Sequence, residues 1–401
     1  MYPSFRSTSF SIVITIIFLF MSGCEEEKSA SLFDPSAPTL SNPTITSVLP
    51  AGSAVAGIDT VTVQGTGFSP VLSNNFVVFN SETAQLVHAT STEIKLIAPL
   101  VVSDSIKLRV SVHGSYEFSN TYNYILKPAV AEFGYLDSIA ISSAVTTDQD
   151  GNLYGGFSIA GTDAGVLKIT PSGIRSNYAP KTSGNSWTSL KMGPGGYLYA
   201  VRNVNAIFRF APGGGAYAPI WLVRPKGNLF FDIDFDQSGN LWGGGKNINI
   251  YRISRDSSAA SFPFTGEIHS LRVFEGYLYF AAKTDAGEKI WRAQITTDGL
   301  GTPEIYFDFS SAFPQNIPLA ITFSSDGNLY IGVDSEIGII VVTPGKTFTT
   351  PLSVYKKLFG HGVKSITWGK DDDMYCSTVD GIFLKIYVTG KTSAPYYGAI
   401  L

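Results

Sequence analysis

The sequence predicts an all-β protein, a small β-sandwich followed by a six-bladed β-propeller. Three observations carry that expectation. Of 401 residues, 44% are apolar, 13% aromatic and 15% charged, and runs of Val, Ile, Thr, Tyr and Phe are broken by Gly, Asn and Pro, which favours many short strands over helices. Residues 43–126 read as alternating strands at close spacing. From residue 130 to the C-terminus a phrase ending in Leu-Tyr or a close equivalent recurs six times. The same composition excludes some classes. A formal net charge of −4 gives no basic field to hold a nucleic-acid backbone. Cys24 and Cys376 are the only two cysteines, which leaves no disulfide framework and no multi-cysteine metal site.

In chain order, the first element is a leader over residues 1–23. Arg6 precedes an apolar stretch from Phe10 to Met21, the length of a signal-peptide core and too short to span a bilayer. It ends in Met21-Ser22-Gly23-Cys24, which resembles a bacterial lipoprotein signal. The resemblance implies that Cys24 is lipidated, becomes the first mature residue and anchors the protein to the membrane without a spanning helix. Glu25-Glu26-Glu27-Lys28 resembles the acidic tag that sends Bacteroidetes-type lipoproteins to the cell-surface face of the outer membrane. Residues 24–42, rich in Ser, Pro and Ala toward their end, read as a flexible tether.

The sandwich follows. Thr44 to Val48, Thr60 to Gly65, Asn75 to Phe79, Ile94 to Ile97 and Ile106 to Val112 read as its strands, separated by turns at Leu49-Pro50-Ala51-Gly52, Pro99 and His113-Gly114. Pro43-x-Ile45, Leu49-Pro50, Gly57, Val61-Thr62-Val63-x-Gly65-x-Gly67-Phe68, Val77-x-Phe79 and Ala98-Pro99 closely resemble an IPT/TIG immunoglobulin-like domain. Asn80-Ser81 departs from the Gly-containing turn usual after the Val-x-Phe strand. The resemblance implies a spacer or binding module and no catalysis. His88 and His113 stand alone, without partners at metal-ligand spacing.

Over residues 130–401 the repeated phrases are Asp150-Gly151-Asn152-Leu153-Tyr154, Gly195-Gly196-Tyr197-Leu198-Tyr199, Ser238-Gly239-Asn240-Leu241-Trp242, Glu275-Gly276-Tyr277-Leu278-Tyr279, Asp326-Gly327-Asn328-Leu329-Tyr330 and Asp372-Asp373-Met374-Tyr375. Successive copies lie roughly 37 to 51 residues apart, the period of a four-stranded propeller blade and longer than a β-solenoid coil. A two-residue turn is expected between the first and second strand of each blade. Tyr396 to Leu401, introduced by Pro395, is expected to be the outermost strand of the last blade. The phrase resembles that of NHL-type propellers and, more loosely, the SMP-30/gluconolactonase family. Lipoproteins that pair such units with IPT/TIG domains resemble Bacteroidetes surface proteins, some of which serve glycan uptake.

Propeller ligands bind where the loops entering the innermost strands converge. Counting back from each phrase, with a one-residue gap in the fourth blade, aligns Ala144, Ser189, Asp232, Ser270, Ala320 and Ser365 on those strands. Three or four residues earlier stand Ala140, Asn185, Asn228, Glu267, Asn316 and His361. Equal register predicts a ring, so Asn185, Asn228, Asp232, Glu267, Asn316 and His361 are the candidate ligand-binding residues at the channel mouth. Asn, Glu and His can hold sugar hydroxyls or a divalent cation such as Ca. The pattern resembles the SMP-30 site, in which Glu, Asn and Asp side chains hold a divalent metal. By that resemblance Asn228, Glu267 and Asp232 would be the ligands here. The sequence departs from it in lacking an acidic residue at the first-blade position, where Ala140 stands. The alternative is that Asn and His cap loop backbone.

Other chemistry is thin. Cys376 beside Tyr375 reads as a small core residue. His269, two positions from Glu267, reads as a packed strand histidine that could also face the channel. Trp187 and Trp221 read as packing or as platforms for sugar. No nucleophile elbow, P-loop or metalloprotease helix is present, so no catalytic residue is assigned. The expected function is a surface-exposed binding lipoprotein, its propeller holding a glycan, peptide or envelope protein. The alternatives are a metal-dependent lactonase-like hydrolase in the channel and an envelope scaffold without a small ligand.

Overall fold

Burial alternates along Ser103–Val112, with Ile106, Leu108, Val110 and Val112 inward and the residues between them facing out, as a strand with one covered face requires. The computed structural model describes residues 40–217, 219–350, 360–370, 373–388 and 390–400. The leader, Cys24 and the tether as far as residue 39 lie outside the described residues. No described helix is long and apolar enough to cross a membrane.

One sheet of the sandwich is ordered Thr44–Leu49, Thr60–Thr66, Glu93–Ile97, Gln85–Ala89. The other is ordered Ser53–Val55, Tyr122–Lys127, Ser103–Val112, Asn75–Phe79, Glu82–Thr83. Between them Val61, Val63, Val77, Phe79, Ile94 and Leu96 are fully buried, each contributing roughly 1.5–3 kcal/mol of transfer free energy. The chain is thus an immunoglobulin-like sandwich followed by a propeller.

Six blades of four strands are present among the described residues. Their innermost strands are Ala140–Thr147, Ser189–Met192, Asp232–Phe235, the second half of Ala259–Phe274, Pro318–Phe323 and Val363–Trp368. Each touches the next, and the last touches the first, so they close a ring. Ala259–Phe274 serves two blades: its first half is the outer edge of the third and its second half the inner strand of the fourth.

The repeated phrase has a local cause. Asp148 accepts hydrogen bonds from the backbone N–H of Asp150 and Asn152, from the Asn152 side chain and from the Tyr154 hydroxyl at 2.9 Å. Asp236 does the same with Ser238, Asn240 and the Trp242 indole at 2.8 Å. The carboxylate therefore folds the turn and locks the aromatic of the next strand. Gly239, at φ 79°, takes the left-handed conformation that this turn needs. These turns hold five residues, 148–152 and 236–240, where two were expected. Among the described turns, that of the fourth blade alone has two residues, Glu275 and Gly276, joining the strands.

The sixth blade corrects a second expectation. Its outermost strand is Val130–Glu132, paired with Phe383–Tyr387 in the register Val130↔Ile386. The first residues after the sandwich thereby close the ring, and the outer edge of Phe383–Tyr387 is taken before the tail could pair with it. The tail instead crosses beneath the channel. Ala394 donates to the Phe323 carbonyl, Tyr396 hydrogen-bonds the Met192 carbonyl, and Gln237 reaches the Tyr397 hydroxyl at 3.0 Å. Tyr397–Ile400 forms a helical turn. Above the Tyr396 ring lies a buried ion pair, Arg272 Nη1 to Asp234 Oδ2 at 2.8 Å. The lower end of the channel is closed by these groups.

Candidate functional site

Four of the six inner strands carry a bulge at the same height. Pairing shifts register between Ser142 and Val145, between Ile268 and Ser270, between Pro318 and Ala320, and between Val363 and Ser365. The extra residues are Ser143 with Ala144, His269, Leu319 and Lys364. A bulge re-aims a side chain that strand alternation would otherwise send into the sheet. Ser143, His269, Leu319 and Lys364 all line one cavity of about 390 Å³ at the upper end of the channel, joined there by Thr188 and Phe231 from the two remaining blades. Every blade thus supplies the residue immediately before its aligned inner-strand position.

The wall between the first two blades is completed by Ser142, Ser158, Ser186 and Trp187. Trp187 is 2% exposed and meets Phe208 and Phe210 edge-on, at 5.3 and 5.7 Å between ring centroids, while the Arg202 guanidinium covers its face at 4.8 Å. Gly156 allows this packing, since a Cβ there would stand 2.5 Å from the Ser143 hydroxyl and 3.3 Å from the Trp187 ring. Ser142 is satisfied by Ser377 at 2.6 Å. The Ser143 hydroxyl and the Trp187 indole N–H are buried with no hydrogen-bond partner. Buried polar atoms are nearly always paired, and these two belong to residues that line the cavity.

Across the cavity, His269 Nε2 lies 3.2 Å from Glu288 Oε2. Burial pulls the Lys364 ammonium down to about 8, against a smaller opposing pull from Asp380. Beneath the mouth the channel narrows to about 20 Å³, walled by Ser189, Asp232, Ser270 and Ser365, space for about one water.

The residues singled out by register lie elsewhere. Asn185 is exposed and bridges to Thr162 on the outer hairpin of the first blade. Asn228 donates to the Pro225 carbonyl at 2.9 Å and accepts from the Tyr251 hydroxyl at 2.8 Å. Asn316 donates to Ser335 at 2.6 Å, and His361 meets Asp380 at 2.7 Å. Glu267 pairs along the sheet with Lys246 and Lys283 and lines a separate side cavity with Lys283, Asp285 and Trp291. Asn185, Asn228, Asn316 and His361 stand ahead of their inner strands, where the chain is still loop and its polar groups bond within that loop or to a nearby hairpin, whereas Glu267 sits inside its strand, paired on both sides. Of the six, only Asp232 reaches the channel. One of its oxygens accepts from the Ile233 N–H at 2.8 Å, the other from the Ser270 hydroxyl at 2.7 Å and the Leu271 N–H at 2.8 Å.

Asn228 and Asp232 thus spend their oxygens on separate protein hydrogen bonds, and Glu267 lines a different cavity. No cluster of three or more His, Cys, Asp or Glu side chains suited to a metal occurs among the described residues. Cys376 is fully buried, its thiol pushed up to about 12 by burial, as a core residue. Trp221 packs on Tyr199 at 5.1 Å, away from the mouth.

Residues 43–125 match the IPT/TIG domain family, so the sandwich is an IPT/TIG domain. No curated protein sequence matches the chain. Among solved structures, an auxiliary nutrient binding protein from Bacteroides thetaiotaomicron is 12% identical with a TM-score of 0.53, over 88% of this chain and 98% of its own. A gluconolactonase from Xanthomonas campestris is 13% identical with a TM-score of 0.52, over 64% and 89%. A luciferin-regenerating enzyme is 15% identical with a TM-score of 0.54, over 67% and 98%. At these identities the likeness is one of fold.

Proposed function

We propose that this chain is a lipid-anchored binding protein of the outer cell surface, in which the propeller mouth holds a saccharide and the IPT/TIG domain serves as spacer. The observation that carries this reading is the cavity of about 390 Å³ to which all six blades contribute, with Ser143 and Trp187, whose polar groups have no protein partner, among its lining. That size falls in the range of small-molecule sites, roughly 300–1,000 Å³. Its lining of serine and threonine hydroxyls between Phe231, Leu319 and Trp187 offers hydrogen bonds and apolar surface together, the mixture that sugar rings present in turn. The closed lower end makes the mouth a dead-end pocket. The leader ending at Cys24 supports the anchor, and the fold shared with a Bacteroides nutrient binding protein supports the surface role.

A second reading, a hydrolase in the same mouth, draws on His269 held against Glu288, a histidine oriented by a carboxylate as general bases are. One experiment separates the two. The full chain, extracted in detergent, is screened on a glycan array, and each bound saccharide is then incubated with it and analysed by mass spectrometry. Binding with the saccharide recovered unchanged supports the proposal. A cleaved product supports the hydrolase, and a blank array removes the saccharide reading.

A further inference from the structure

The mouth holds donors that no protein acceptor meets, and this deepens the saccharide reading, on which it rests. Trp187 Nε1 can only donate, and Lys364 Nζ can only donate. The Ser143 hydroxyl donates freely, having no protein partner. Lys364 makes no hydrogen bond or ion pair with the described residues, and the single charge acting on it, Asp380, already bonds His361 at 2.7 Å. Among the described residues no carboxylate lines the cavity. Two acids around it are occupied: Glu288 faces His269, and Asp232, in the narrow channel below that Lys364 also lines, has both oxygens bonded. Lys364 and Ser143 stand on adjoining inner strands, linked by the Ser365 hydroxyl to the Val145 N–H at 3.1 Å.

We infer that the saccharide carries an anionic substituent, a carboxylate or a sulfate, and that this group is seated by Lys364 together with Ser143 and Trp187. A neutral sugar would leave a desolvated ammonium without a counter-charge, whereas an anion supplies one. A charge-assisted contact of this kind contributes a factor of roughly ten to a hundred in affinity.

The test uses the full chain in detergent and three sets of oligosaccharides. The first is uronates, each beside its methyl ester; the second is sulfated sugars, each beside its desulfated form; the third is neutral glucans. Binding is read by calorimetry for the parent, Lys364→Met and Lys364→Arg. The inference expects an anionic form to bind at least about tenfold more tightly than its neutral partner. Lys364→Met should erase that preference and Lys364→Arg should retain it, and the two anionic sets tell carboxylate from sulfate. Anionic and neutral forms bound equally well would overturn the inference and leave the saccharide reading standing. A preference that survives Lys364→Met would overturn it by placing the anion elsewhere. Failure of all three sets would remove both. Should Lys364→Met not fold, added salt must weaken the anionic ligand and spare the neutral one, and indifference to salt counts against the inference.

Discussion

Ser270 donates its hydroxyl to Asp232 at 2.7 Å across the seam between the third and fourth blades. The same Ser270 oxygen accepts the Ile321 N–H at 3.1 Å from the fifth. One carboxylate and one hydroxyl thus tie three inner strands together at the height where the channel narrows. The acidic residue that sequence register offers as a ligand is a strut of the ring.

Asp232→Ala should therefore destabilise the propeller by about 2–4 kcal/mol, since it leaves the Ile233 and Leu271 N–H groups and the Ser270 hydroxyl short of acceptors. Chemical denaturation measures this. A variant as stable as the parent that had lost saccharide binding would restore Asp232 as a ligand.

How much of this was legible follows from how local each cause is. The six blades could be read because the Asp148 and Asp236 turns are written in seven consecutive residues, with donor, acceptor, glycine and aromatic in order. The sandwich could be read because its core alternates. The mouth could not, because a bulge is a property of two paired strands: nothing within Glu267-Ile268-His269-Ser270 says that Ile268 faces Ala282 while Ser270 faces Ala281. The signal nearest to hand was the one-residue gap needed to align the fourth blade. Val130–Glu132 was missed for a related reason, since three residues show no periodicity and their partner, Phe383–Tyr387, lies at the far end of the chain.

Ser143→Ala separates function from stability. The hydroxyl is buried and unpaired in the protein alone, so its removal costs no internal hydrogen bond and relieves a desolvated polar atom. The expected outcome is a protein as stable as the parent, or more stable by up to about 1 kcal/mol, with weaker saccharide binding. Thermal denaturation and calorimetry on the same preparation check both halves. A drop in stability would mean that Ser143 is paired within the fold.

Cys24→Ser should release the chain from the membrane. The thiol is the one lipid attachment point that the leader offers, and the described residues contain no spanning helix. Fractionation of cells expressing the variant is the measurement, and recovery of the processed variant in the membrane pellet would remove the anchor from the proposal.

The last prediction concerns pH and Lys364. Burial lowers this amine from 10.5 to about 8 in the folded chain. Below pH 8 folded and unfolded chains both hold the proton, and the folded one bears the full cost of burying the charge. Between about 8 and 10.5 the unfolded chain binds more protons, so this residue's contribution to stability rises with pH there and is level above. At about 1.36 kcal/mol per pKa unit the whole effect is of order 3 kcal/mol. Asp380 opposes burial and remains charged throughout, and His269 shares the cavity with its ring held by Glu288. The comparison that isolates Lys364 is therefore Lys364→Met against the parent, by urea denaturation at a series of pH values. Lys364→Met should be the more stable below pH 8, and its advantage should shrink toward pH 10.5. Binding of an anionic saccharide by the parent should weaken over the same rise, because the deprotonated amine no longer offers a charge. A stability difference that does not change with pH would show that the amine is solvated in the mouth and carries no burial cost.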